Sequence, residues 1–152
     1  MRAVKNILIG LGVFFLVVLA LFAWVGMSSR QFRKEEAPFV EKFVTDLSKH
    51  WDTADVNDRM TSSFIVQAGT PQAQQLLHQF KQLGALKSVQ DLELRSYRSF
   101  NTEQTGLFSF KGTFENGAGV VNLTIVKKDG AVHVIGFFLE TTHVGGASKI
   151  QV

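Results

Sequence analysis

Apolar spacing changes three times along the chain, and each change predicts a different element. From Asn6 to Ser29 there is no charged residue, and Ile, Leu, Val and Phe dominate. Ile7 to Met27 supplies twenty-one residues, and about 20 mostly apolar residues suffice for a helix to cross a bilayer. A membrane anchor is therefore expected at the start. Beyond it, Phe39, Val40, Phe43, Val44, Leu47 and Trp51 recur at offsets 0, 1, 4, 5, 8 and 12, which makes one apolar stripe on a helix. Val56, Met60 and Phe64 repeat every four residues and predict a short second helix, with Gln67 to Gly69 as a loop. Thr70-Pro71 supplies a cap and a first-turn proline. It opens a third helix carrying Leu76, Leu77, Phe80 and Leu83, which Gly84 ends.

After Ser88 the period becomes two. Four strands are predicted, at about Gln90 to Phe100, Leu107 to Glu115, Gly119 to Lys127 and Ala131 to Thr142. Asn116-Gly117 and Asp129-Gly130 offer the positive φ angles of tight hairpins, so strands two to four should form an antiparallel meander. Asn101 to Gly106 reads as a looser turn. Alternation sends Phe108, Phe110, Phe114, Val121, Leu123, Ile125, Ile135, Phe137 and Leu139 to the face that meets the helices. The opposite face is mixed. It holds Ser109, Lys111, Thr113, Asn122 and Thr124, but also Val120, Val126, Val132, Val134 and Phe138. That apolar strip is the predicted binding surface for a protein partner or a second copy, because sizeable exposed apolar patches mark interaction sites.

Helices first and strands second read as α+β. The expected plan is a tail and transmembrane anchor at 1–29, a juxtamembrane linker at 30–36, an α+β domain at 37–142 and a flexible tail at 143–152. The competing reading of the start is a cleaved signal peptide, since Met1-Arg-Ala-Val-Lys5 is a short basic leader. The apolar core exceeds the roughly 7–15 residues of such peptides. The best cleavage site, Gly26-Met27-Ser28, also follows a bulky Trp24, which suits the membrane interface. An uncleaved anchor is favoured. Lipoprotein processing needs a cysteine, and the chain has none. The flanking charges, Arg2 and Lys5 against Arg30, Arg33 and Lys34, do not decide orientation.

The net charge of +3 falls to +1 without Arg2 and Lys5, since fourteen basic residues then face thirteen acidic ones. Nucleic acid is a poor partner for such a surface. Absence of cysteine removes thiol catalysis and Cys-based zinc sites. His50, His78, His133 and His143 show no helix motif or spacing that clamps a metal, so no metal and no cofactor is expected. An isomerase-like reaction needs a carboxylate and a hydrogen-bond donor converging in an apolar pocket. The residue types available are Asp58 or Glu93 with Tyr97, and alternation turns Glu93 and Tyr97 together away from Leu92 and Leu94. No catalytic set follows. Fourteen phenylalanines give any cavity between helices and sheet an aromatic lining, with Trp51, Phe110, Phe137 and a rim His133 as its expected walls.

One long helix, two short ones and an antiparallel sheet resemble the nuclear transport factor two-like, or cystatin-like, superfamily. The resemblance covers about Ala37 to Thr142. It is strongest in Leu83-Gly-Ala-Leu-Lys-Ser-Val89, in Phe114-Glu-Asn-Gly-Ala-Gly-Val-Val-Asn-Leu-Thr-Ile-Val-Lys-Lys-Asp-Gly130 and in Val132-His-Val-Ile-Gly-Phe-Phe-Leu139. It implies three helices on a curved four-stranded sheet in a cone shape, and an exported domain on the periplasmic side of a bacterial inner membrane. Enzymes, ligand binders and non-catalytic subunits share that plan. Two functions remain open: a membrane-anchored interaction module working through the sheet face, and a domain binding a small hydrophobic ligand, or weakly enzymatic, in the cavity.

Overall fold

In this computed structural model the described residues are 2–143 and 146–151, with side chains described at 20, 23 and 26–141. The chain divides into two units, residues 1–35 and residues 36–152. Helix α1 runs Arg2–His50 with Pro38 inside it. The span expected from Ile7 to Met27 falls mostly on side chains outside the described residues. Among the described residues no helix is long and apolar enough to cross a membrane. The linker expected at 30–36 is helical, and no new helix starts near Phe39. Good helix formers occupy this segment, and Gln31 bonds to Glu35 one turn on, at 2.8 Å.

Within residues 36–152, the second half of α1 buries Val40, Phe43, Val44 and Leu47, as its stripe predicts. Its end is fixed by Trp51, which takes a left-handed φ of 52° while its backbone N–H bonds to Leu47 O at 2.7 Å. The predicted helix over Val56 to Phe64 is replaced by two 3-10 turns, Thr53–Asp55 and Asn57–Arg59, and an extended Met60. Helix α2 is Ser62–Ala68, capped by Thr61, and takes in residues expected to be a loop. The spacing of Val56, Met60 and Phe64 reflected burial rather than one continuous helix: all three are buried. Helix α3, Pro71–Phe80, has the Thr70 cap and first-turn proline that its sequence predicts. A 3-10 turn, Lys81–Leu83, extends it to Gly84.

Gly84 has φ 74° and ψ −163°, a region open essentially to glycine alone. The backbone here meets the β2–β3 turn: Asn116 N bonds to Leu83 O at 2.8 Å and Glu115 N to Ala85 O at 3.0 Å. Those bonds hold the turn at Glu115-Asn116, with Phe114 paired to Gly117. Neither Asn116 nor Gly117 has the positive φ expected of it, because the α3 exit, not the hairpin alone, dictates this turn. Asp129 and Gly130 do adopt positive φ, 51° and 80°.

The sheet is antiparallel in the order β1-β2-β3-β4-β5, with β1 Leu86–Phe100, β2 Glu103–Phe114, β3 Gly117–Lys128, β4 Ala131–His143 and β5 Gly146–Gln151. The meander of the first four matches expectation. The first hairpin is tighter than predicted, since Phe100 pairs with Glu103 across Asn101-Thr102. The tail expected to be flexible carries a fifth strand, which pairs with Phe138 to His143. A free β4 edge offers unpaired backbone donors and acceptors, and the tail satisfies them. The other half of that edge meets Met60, in a parallel bridge to Val134, and Thr61, whose N–H bonds to Val134 O at 3.0 Å.

One register shift matters most. Thr124 pairs with Gly136 and Ile125 with Val134, so Ile135 is the extra residue of a bulge. Side chains before it change face. Val134 is fully buried against the helices, whereas Ile135, expected inside, is 37% exposed. Val132 shares Val134's side, paired with Lys127, and His133 turns outward. A second shift, between Leu94 and Ser96, separates Tyr97 from Glu93: Tyr97 pairs with Gly106, whereas Glu93 pairs with Ser109 of the opposite parity.

The core lies between the helices and the inner face, where Phe108, Phe110, Val121, Leu123, Ile125 and Leu139 are buried. Two polar contacts tie α1 across the sheet. Buried Glu36 meets Lys127 of β3 at 2.7 Å, and Ser48 Oγ accepts from Leu86 N at 2.9 Å. On its outer side, Asp46 accepts from Lys42 and Lys49 at 2.9 Å and from Arg59 at 3.0 Å. These bonds, Lys42 first and then Lys49 and Arg59, outweigh partial burial and hold the Asp46 carboxyl far below the usual range. Because the folded value is depressed, the cluster stabilises fully at neutral pH and fades once the pH falls below about 4, where a free aspartate takes up its proton. Urea midpoints of wild type and Asp46→Asn should differ most at pH 6, and the gap should narrow progressively as the pH falls below about 4. A gap that stays constant would show that charge plays no part.

Candidate functional site

The outer face of the sheet is built by the pairing register. Phe138, Asn122, Ser109 and Glu93 form one row across β4 to β1, and Glu140, Val120, Lys111 and Gln90 form the next. Towards β1 the face is charged. Lys111 meets Asp91 at 2.8 Å, and Arg95 meets Glu93 at 3.2 Å. The Lys111 hydrogen bond lowers the Asp91 carboxyl, and Asp91 in turn raises the Lys111 ammonium. Towards β4 the face is apolar. Leu107, Val120, Val126 and Phe138 are half-buried and Ile135 is exposed. An open depression at the β4 side joins Val126, Ile135 and His133 to Thr61, Glu103 and Lys128.

Three of the five predicted face residues, Val120, Val126 and Phe138, lie here. Val132 and Val134 do not, because the bulge turns them inward. Ile135 and His133 take their place, and Leu107 completes the strip. The one local clue was Gly136, since an isolated glycine inside a strand pattern points to a bulge.

The inner cavity is small. Its volume is about 20 Å³, and Phe43, Leu47, Val56, Met60, Phe64 and Phe137 are among its walls. That is room for roughly one water, and apolar voids of this kind stay dry. Phe137 lines it as predicted. Trp51 and Phe110 are buried but belong to the packed core beside it, and His133 faces the outer depression instead. Trp51 packs against Phe80 and Phe114 at centroid distances of 5.5 and 5.6 Å and donates from Nε1 to Gly84 O at 3.0 Å.

The residue types considered for acid–base chemistry do not converge. Asp58 is exposed in a 3-10 turn beside Arg59, at 3.7 Å, Glu93 pairs with Arg95, and the Tyr97 hydroxyl accepts from Gln104 at 3.1 Å. His50 bonds to Asp55 at 2.7 Å on the surface at the end of α1. Among the described residues no buried side-chain nitrogen or oxygen lacks a partner, and no three His, Asp or Glu side chains stand close enough to hold a metal ion. Comparison of the chain with protein-family models, with curated proteins and with solved structures finds no match.

Proposed function

We propose that this protein is a single-pass, membrane-anchored, non-enzymatic interaction module, whose domain binds a protein partner or a second copy through the outer face of its sheet. The observation that carries this reading is the strip of Val120, Val126, Ile135 and Phe138, an apolar surface on a sheet whose other face already packs against the helices. The anchor is the uncharged Asn6 to Ser29 stretch. The void lined by Phe43, Phe64 and Phe137 has room for roughly one water, which supports surface binding over enclosure of a ligand there. Resemblance to the nuclear transport factor two-like superfamily adds the expectation of a domain on the periplasmic side of a bacterial inner membrane.

The test is crosslinking of the full chain in native membranes, followed by pull-down in mild detergent. Phe138→Asp should abolish the crosslinked product while the circular dichroism spectrum is kept. Ile135→Asp, at a more exposed site, should weaken it without touching the core. Products of unchanged yield in both variants would overturn the proposal.

A further inference from the structure

The two ends of the sheet differ in how they meet solvent. At one end the β2–β3 turn is sealed onto the α3 exit by hydrogen bonds from Glu115 and Asn116. At the other, the last row runs Phe100, Glu103, Lys128 and Ala131 across the first four strands, and Phe100 is 73% exposed. Among the residues whose side chains are described, it is the one phenylalanine, tyrosine or tryptophan that stands largely in water. A hairpin tip has no local need for phenylalanine.

This end is also where the chain arrives. Lys127, one residue before that last row, holds Glu36 at 2.7 Å. Only residues 30–35 separate Glu36 from Ser29, the end of the uncharged stretch. Covalent geometry alone keeps that separation within about 25 Å. We infer that the Phe100 end of the sheet rests on the bilayer surface that anchors the chain, with the Phe100 ring seated at headgroup depth.

The inference rests on the anchored reading proposed above. An aromatic side chain suits the membrane interface, and Arg98 and Lys128, both exposed, flank the ring where they can reach lipid phosphates. Glu103 and Asp129 offset their charge, so the contact is led by the ring and needs no anionic lipid.

Because the chain has no cysteine, Phe100→Cys and Gln82→Cys each introduce one site for an environment-sensitive fluorophore, the second at the sealed end. The full chain is reconstituted into phosphatidylcholine vesicles, with and without phosphatidylglycerol, that carry a nitroxide at headgroup depth. The label at position 100 should be blue-shifted and quenched several-fold more than the label at 82, in both vesicle types. Equal quenching of the two labels in a chain that resists carbonate extraction overturns the inference and leaves the anchor standing. A chain released by carbonate sinks both. A label at 100 that is shielded only in native membranes, and not in vesicles, assigns this end to a protein and overturns the lipid contact.

Discussion

Trp51→Ala should lower the stability of the domain by about 3–5 kcal/mol, the usual loss for removing a large buried aromatic ring. Trp51 is 4% exposed and links three elements: it ends α1, and its ring packs at a tilt against Phe80 of α3 and Phe114 of β2. Its indole N–H also satisfies the carbonyl of Gly84, which occupies a backbone region that few other residues could share. Removing the ring leaves a void at the meeting point and strands that carbonyl. None of the loss is returned in this variant, because the left-handed φ at position 51 costs roughly 1 kcal/mol in any L-residue with a side chain, alanine included. Trp51→Gly would recover that share, and Trp51→Phe would keep most ring contact while losing the hydrogen bond. The expected order of urea midpoints, measured on the full chain in mild detergent, is wild type, then Trp51→Phe, then the two small residues. A loss under about 1 kcal/mol for Trp51→Ala would mean the core closes over the gap, contrary to the rigid packing expected of such sites.

Two adjacent substitutions on β4 should behave in opposite ways. Val134→Asp places a carboxylate where the side chain is fully buried, and a loss of more than about 4 kcal/mol is expected, enough to unfold a marginal domain. Ile135→Asp, one residue on, should stay within about 1 kcal/mol of wild type, because its side chain is already partly in water and no core contact is lost. Simple alternation along the strand predicts the reverse, with Ile135 inside and Val134 on the surface. Thermal unfolding of the two variants therefore reads out the bulge directly: an unstable Ile135→Asp beside a stable Val134→Asp would remove it.

That pair shows where sequence reasoning stops. The α1 stripe, the Thr70-Pro71 start of α3, the strand order and the Asp129-Gly130 hairpin all follow from local patterns, because each is fixed by residues close together in the chain. The bulge is not local in that sense. Both registers keep valines and isoleucines in contact, and the choice between them depends on Met60 and Thr61 reaching the backbone of Val134. The Glu115-Asn116 turn depends likewise on Leu83 and Ala85, some thirty residues away. Ser48, a plain polar residue beside the helical stripe, gave no sign that it would meet the start of β1. Of the candidate face, Val120, Val126 and Phe138 were legible from period two, and Ile135 and Leu107 were not.

The edges of the sheet bear on crowding. Where copies of a chain meet at high local concentration, an open strand edge invites chain-to-chain stacking into fibres. Along β4 the edge is occupied by β5 over one half and by Met60-Thr61 over the other. Along β1 three register shifts interrupt the ladder, Asp91 turns to a left-handed φ of 54°, and Lys87, Glu93, Arg95 and Arg98 set charges beside one another. A β1 edge built this way resists the flat, repeated pairing that a fibre requires.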